Sequence, residues 1–204
     1  MPSKSTLVDN FEGRPFGMPN DLVADKKGNI YFTDSGLAPS LTVPREGGAL
    51  YDFKSDGTLI KLDDRFTFAN GIVLSPDEKV LYVADTLSEF VLAYDVQPDG
   101  TTRNRRNFGK LDAAHQPEGV NAPNFRPYGA DGIAIDGAGR LYVGSALGVQ
   151  VFNPQGQHLG TIPTSRPVQS LAFAGTDKKT LYLVGGGIVW KVAMQAQGLM
   201  TRAK

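Results

Sequence analysis

Four times along the chain a polar residue opens a short apolar run, a turn follows, and a second run ends in small or acidic residues. The first copy is Asn20-Asp21-Leu22-Val23-Ala24-Asp25, returning as Ile30-Tyr31-Phe32-Thr33-Asp34. The second is Asn70-Gly71-Ile72-Val73-Leu74 with Val80-Leu81-Tyr82-Val83-Ala84-Asp85. The third is Asp131-Gly132-Ile133-Ala134-Ile135-Asp136 with Leu141-Tyr142-Val143-Gly144, and the fourth is Gln169-Ser170-Leu171-Ala172-Phe173 with Leu181-Tyr182-Leu183-Val184. Runs this short and rich in β-branched and aromatic residues, bounded by Gly, Pro, Asn and Asp, predict paired strands. No window sustains a 3.6-residue period with caps at both ends, so long helices are not expected.

Each copy is followed by a further strand pair. Ala49–Phe53 leads to Leu59–Leu62, Phe90–Val96 opens the next, Val149–Phe152 returns as His158–Ile162, and Ile188–Val192 closes the series. Two hairpins per unit make a four-stranded antiparallel blade, so the expected architecture is an all-β β-propeller. Residues 1–204 then form a single, partial propeller domain of about four blades, with units starting near 20, 70, 131 and 169. The segment Thr6–Phe11 reads as the outer strand of a preceding blade. A ring closes by pairing its two chain ends, which avoids open edges. Further sequence is therefore expected upstream of Met1.

Composition narrows the function classes. Lys+Arg and Asp+Glu both number 21, which argues against a nucleic-acid or anionic-membrane partner, since either needs a basic surface. Arg103-Asn104-Arg105-Arg106 lies in a polar stretch and reads as a solvated loop. The absence of cysteine excludes disulfides, thiolate metal sites and a cysteine nucleophile. The apolar runs are too short for a membrane helix, and the N-terminus lacks the apolar core of a signal peptide, so a cytoplasmic location is expected of the chain as written. No Gly-x-Ser-x-Gly elbow is present, which argues against a serine hydrolase.

The start of each innermost propeller strand faces the central channel, so Asn20, Asn70 and Asp131, which open three of the copies, are candidates for a shared site. Their oxygens suit a hard cation such as Ca²⁺ or Mg²⁺. A second reading stands beside this one: Asn or Asp before Gly is a common turn pair, because both tolerate left-handed backbone. Asp34 and Asp85 end inner strands and are expected to bond backbone, Asp25 and Asp136 to sit in hairpin turns, and Trp190 to fill core. His115 and His158 are expected in a loop and on an outer strand, away from the chemistry. The Pro- and Asn-rich insertion Asp112–Tyr128 is expected over the channel mouth, shaping a pocket.

Pro19-Asn20-Asp21 with Gly28–Asp34, Ala69-Asn70-Gly71-Ile72 with Ser75-Pro76-Asp77 and Leu81–Thr86, and Ala130–Asp136 with Gly139–Val143 together resemble the SMP-30/gluconolactonase/LRE family over nearly the whole chain. That resemblance implies a six-bladed parent fold and metal-dependent hydrolysis of a sugar lactone to its acid, a carboxylic ester hydrolase activity. It implies Asn70 and Asp131 as metal ligands, and Asn20 and Asp21 as substrate-binding residues, Asn20 contacting substrate or metal-bound water and Asp21 beside it orienting the site. It implies Ca²⁺ as the metal, with Zn²⁺ or Mg²⁺ as alternatives, and a small-molecule lactone as the partner. Asp131 is then both ligand and proton acceptor. The family's third ligand is a glutamate in an earlier blade that this sequence does not contain; Glu12 does not match its setting. The alternative is a non-catalytic propeller module that binds a ligand and is inactive through loss of that glutamate. Neither which lactone is taken nor the oligomeric state follows from the sequence.

Overall fold

Alternating apolar positions give the chain its strands, and the number of covered faces decides which residues are buried. The computed structural model describes residues 4–37, 46–116, 118 and 124–201. Among these there are strands and no helix. A two-residue hairpin, β1 (Asn10–Phe11) with β2 (Arg14–Pro15), precedes the blades. Blade 1 is β3 (Pro19–Ala24), β4 (Ile30–Asp34), β5 (Ala49–Phe53) and β6 (Leu59–Asp63). Blade 2 is β7 (Ala69–Leu74), β8 (Val80–Asp85), β9 (Phe90–Val96) and β10 (Thr102–Lys110). Blade 3 is β11 (Ile133–Ile135), β12 (Leu141–Ser145), β13 (Gly148–Phe152) and β14 (His158–Pro163). Blade 4 has three strands, β15 (Ser170–Ala174), β16 (Thr180–Gly185) and β17 (Ile188–Ala193). Every pairing within a blade is antiparallel between sequence neighbours, which is the up-and-down meander of a propeller blade.

Blades pack face to face through their inner strands, β3 on β7, β7 on β11 and β11 on β15. Three apolar clusters fill the junctions. Val23, Tyr31 and Leu50 meet Ile72, Leu74, Leu81 and Val83 between blades 1 and 2. Val73, Tyr82 and Val91 meet Ile133, Leu141 and Phe152 between blades 2 and 3. Ala134 and Tyr142 meet Leu171, Phe173, Leu181 and Leu183 between blades 3 and 4. Successive residues of β7 thus serve opposite junctions: Ile72 and Leu74 face blade 1, and Val73 faces blade 3. All six residues of β7 are buried, whereas β16 alternates buried Leu181 and Leu183 with exposed Tyr182 and Val184. An interior blade is covered on both faces; blade 4 is covered on one. Each fully buried Leu, Ile or Val contributes roughly 1.5–3 kcal/mol relative to exposure, so the junctions carry most of the fold's apolar stabilisation.

Three readings of the sequence are corrected here. Thr6–Phe11 is not the outer strand of a blade: only Asn10–Phe11 is extended, and it turns back through Glu12 and Gly13, both at positive φ, to pair with β2. Arg103–Arg106 is not a loop but part of β10, a bulged outer strand whose Arg106 pairs with Asp95 at 2.6 Å and whose Arg105 reaches Asp63 at 3.3 Å. Polar residues suit both faces of an outer strand, which removes the alternation that would have marked it. Blade 4 has three strands, not four, because the residues after β17 form no further strand among those described. In the insertion Asp112–Tyr128, residues 117 and 119–123 lie outside the described residues; 112–116 form no strand.

Candidate functional site

The inner strands of blades 1 and 2 open on the same irregularity. Pro19 pairs with Asp34 and the next pair is Leu22 with Phe32; Ala69 pairs with Asp85 and the next is Ile72 with Val83. One extra residue sits in each inner strand, a bulge of the kind that re-aims side chains. Asn20-Asp21 and Asn70-Gly71 occupy these bulges. In blade 3 the corresponding Asp131 donates its N–H to Gly144 O at 2.9 Å, and Gly144 N–H returns to Gly132 O at 2.9 Å.

The chain entering each bulge is held by an aspartate at the end of the next strand. Asp34 accepts from Gly17 N at 2.8 Å and Met18 N at 2.6 Å, and Asp85 accepts from Phe68 N at 2.8 Å and Thr67 N at 2.9 Å. Asp25 and Asp136 each accept two backbone N–H bonds inside their own hairpin turns. These four acids play the structural parts expected of them.

None of Asn70, Gly71, Asp131 and Gly132 has positive φ, which removes the turn reading of the two Gly pairs. The glycines answer close packing instead. A Cβ on Gly71 would run into the carbonyl oxygen of Asp131, and one on Gly132 would lie 2.9 Å from the Ser170 Cα. The missing side chains let adjacent inner strands touch, which brings the residue before each glycine toward the next blade.

Hydroxyl relays then fix the amides. Asn20 Nδ2 donates to Ser35 Oγ at 3.0 Å, and Ser35 Oγ donates to Ala69 O at 2.6 Å. Asn70 Nδ2 donates to Thr86 Oγ1 at 2.9 Å, and Thr86 Oγ1 donates to Ala130 O at 2.7 Å. Each amide is thereby tied to the residue just before the next blade's candidate. Because its nitrogen is committed to Thr86, Asn70 turns its oxygen elsewhere; the residue is 3% exposed and Oδ1 has no hydrogen-bond partner. A buried amide oxygen left unmet costs about 1–3 kcal/mol, so it marks a place where a ligand gains what the fold leaves unsatisfied.

Asp131 is half-buried, with the Asn70 amide in hydrogen-bonding reach of its carboxylate. Burial pushes its carboxyl up to about 6, and the charge of Asp21 acts in the same direction. The Arg126 guanidinium, the Asn70 amide and the Gly132 N–H oppose the rise without cancelling it. Asp21 spends its own oxygens on backbone: Oδ1 accepts from Leu22 N at 2.9 Å, and Oδ2 accepts from Ile72 N at 3.1 Å across the blade junction.

Asn70 and Asp131 therefore lie together, with Asp21 in electrostatic reach. Asn20 stands one blade away and exposed, and with Asp21 it lines a cavity of about 420 Å³ beside Phe16, Leu22 and Phe32. Asp131 lines a different cavity of about 390 Å³ whose wall includes Arg126, Asn124 and Gln169. None of these three wall residues is among the sequence-derived candidates. Gln169 opens the fourth copy and accepts Gly132 N–H at 2.9 Å on its carbonyl, so the repeat signal already pointed to it. Arg126 has no repeat signal; only the tertiary fold places it. His158 contacts Asp112 Oδ2 at 3.2 Å on the outer strand and takes no part.

An amide oxygen and a carboxylate are hard donors, the kind that Ca²⁺ or Mg²⁺ takes, and the orphaned Asn70 Oδ1 fits such a group. Among the described residues no group of three or more His, Cys, Asp or Glu is placed to hold a metal ion, so the two would supply only part of a shell.

A sequence model of the SMP-30/gluconolactonase/LRE-like region matches residues 2–186. A gluconolactonase of Zymomonas mobilis is 30% identical over 207 residues, covering 96% of this chain and 55% of the relative. The lactonohydrolase oryL of Aspergillus oryzae is 29% identical over 209 residues, covering 94% of this chain and 48% of the relative. Among solved structures, a gluconolactonase of Xanthomonas campestris superposes with a TM-score of 0.72 at 30% identity, covering 91% of this chain and 60% of that one. The chain spans about half the length of both sequence relatives.

Proposed function

Since the chain belongs to the SMP-30/gluconolactonase/LRE-like family, we propose that it acts on a sugar lactone, opening the ring by metal-dependent hydrolysis to the aldonic acid. The observation that supports this most directly is the buried, partnerless Oδ1 of Asn70, a residue whose side chain also reaches the raised Asp131 carboxyl. Asn70 and Asp131 would hold the metal, Ca²⁺ first and Mg²⁺ or Zn²⁺ as alternatives. When bound, such an ion polarises the lactone carbonyl and acidifies water.

Asp131 takes the proton from the attacking water, the general-base part that a positioned carboxylate can play. Water oxygen bonds to the carbonyl carbon, the ring C–O bond breaks, and the proton passes to the departing ring oxygen. Asn20 offers its exposed amide oxygen to substrate hydroxyls while its nitrogen stays on Ser35. Asp21 positions the bulge through Ile72 N rather than touching substrate.

One observation favours the second reading, a binding module without turnover: the described residues provide two metal donors and no third acid. The two are separated by titrating acid release from glucono-1,5-lactone with and without millimolar Ca²⁺, Mg²⁺ or Zn²⁺, alongside the thermal midpoint. A ligand that binds only the folded state raises that midpoint. Metal-dependent acid release that Asp131→Asn lowers by about 100-fold or more supports the hydrolase. Asp131→Asn retaining full turnover sinks the proton-accepting role. A metal-induced shift that Asn70→Ala abolishes, with no acid release, supports the binding module.

A further inference from the structure

The cavity beside Asp131 has a cation in its wall that the fold does not neutralise. Arg126 is half-buried, and its Cζ lies 5.7 Å from the centroid of the Phe68 ring. Phe68 is a fixed platform: it is 4% exposed, its N–H is held by Asp85 Oδ1 at 2.8 Å, and its carbonyl accepts Thr86 N–H at 3.0 Å. Thr86 is also the residue that anchors Asn70, so the arginine and the orphaned amide oxygen are referenced to the same point of the fold. Among the described residues Arg126 makes no salt bridge and donates no hydrogen bond; Asp131 feels its charge without pairing with it.

Arg126 is half-buried in the cavity wall with no carboxylate paired to it among the described residues, whereas arginines drawn into a protein are ordinarily paired. Its geometry shows what it lacks. Its Cζ sits over an aromatic ring, and a guanidinium's planar fork of N–H donors is the group that takes a carboxylate through two parallel bonds. A neutral polyol lactone offers nothing of matching charge. The ring carbonyl is not the natural partner either, because the hard oxygens of Asn70 and Asp131 already mark the place where that group would be polarised.

We propose that Arg126 is a specificity-determining residue that recognises a carboxylate carried by the ligand, so that the cavity selects lactones bearing an acid group where a common aldonolactone has a terminal hydroxymethyl. The ligand class is the aldarolactones. This rests on the lactone reading for the ring, and its test does not depend on turnover.

Methyl glucuronide and methyl glucoside share a ring and differ only in carboxylate against hydroxymethyl, and neither is a lactone. Calorimetric titration of the full chain with each is expected to give the glucuronide roughly 10- to 100-fold tighter, the range of one charge-assisted hydrogen-bonded pair. Arg126→Gln is expected to erase the difference, and Arg126→Lys to keep part of it through charge without the fork. Circular dichroism of both variants checks that the blades are intact; should Arg126→Gln not fold, the Arg126→Lys loss decides. Equal affinity of wild type for the two glycosides, or a preference that survives Arg126→Gln, overturns the inference. Glucaro-1,4-lactone against glucono-1,4-lactone then separates the two readings. A carboxylate preference in binding with neither lactone hydrolysed keeps the role of Arg126 and refutes the hydrolase.

Discussion

At the residue scale, charge in this molecule is settled by who is buried with whom. Asp63 is 6% exposed at the end of β6. Burial alone would raise its carboxyl, but bonds from Arg65 and from the Tyr94 hydroxyl at 2.9 Å, with the charge of Arg105, bring it below the ordinary carboxylate range. Arg65 is largely exposed, so its ion pair is screened and adds little; the bond from buried Tyr94 matters more. A carboxyl lower in the folded state than in the unfolded one contributes stability above the unfolded value near 4, and that contribution is lost as pH falls through the folded value. Asp63→Asn is therefore expected to cost about 1–3 kcal/mol at neutral pH and to flatten the decline in thermal midpoint on acidification below about pH 4. Midpoints measured by calorimetry across that range check it; parallel acid profiles for the two proteins would refute it. Asp34, Asp85, Asp25 and Asp136 were legible as backbone acceptors because strand ends and turns state their unmet N–H groups locally. Arg126 was not, because a residue outside the repeats acquires its neighbours only when blades 2 and 3 meet.

At the element scale, the start of the inner strand, bulged in blades 1 and 2, is where the blades meet. It puts an Asn or Asp at the junction and a small residue behind it, and the hydroxyl relays through Ser35 and Thr86 tie one blade to the next. The repeat of apolar runs made the strands and their order legible, because strands in a meander pair with their sequence neighbours. The reason for the Asn-Gly and Asp-Gly pairs was not legible, since close inter-strand approach and left-handed backbone both call for glycine and only the fold tells them apart. The difference has a consequence. If Gly71 were a turn glycine, alanine there would strain φ alone; here its methyl meets the Asp131 backbone in the neighbouring blade. Gly71→Ala is expected to destabilise the chain by about 1–3 kcal/mol through forced blade separation, and to weaken any metal response by moving Asn70 away from Asp131. Gly137→Ala, at a hairpin where an added Cβ has 3.5 Å to its nearest neighbour, is the control, and its midpoint should stay close to wild type. Equal effects at both positions would count against the packing argument.

At the scale of the whole molecule, the outer faces of blades 1 and 4 are uncovered among the described residues, and their side chains show it. Leu22 on β3 is 57% exposed, and Tyr182, Val184 and Val189 on blade 4 are 42%, 41% and 71% exposed. Leu22 matches Ile72, and Tyr182, Val184 and Val189 match Tyr82, Ala84 and Val91 of blade 2, all buried against a neighbouring blade, so the exposed face of blade 4 has the chemistry of a blade junction. Among the described residues blade 4 has no fourth strand, so β17 presents an unpaired backbone edge. An apolar face joined to an open edge is the surface through which β proteins associate, and the chain has zero formal net charge to oppose contact. The isolated chain is therefore expected to self-associate in a concentration-dependent way in sedimentation velocity. Val189→Lys should shift it toward monomer, because a charge on the edge strand must be desolvated before another copy can pair there. Lys at a 71% exposed position costs the folded monomer little, so a loss of association without a change in thermal midpoint at low concentration isolates the edge as the cause. If the variant associates as the wild type does, the contact lies on the opposite end face around Leu22, and Leu22→Lys should then abolish it.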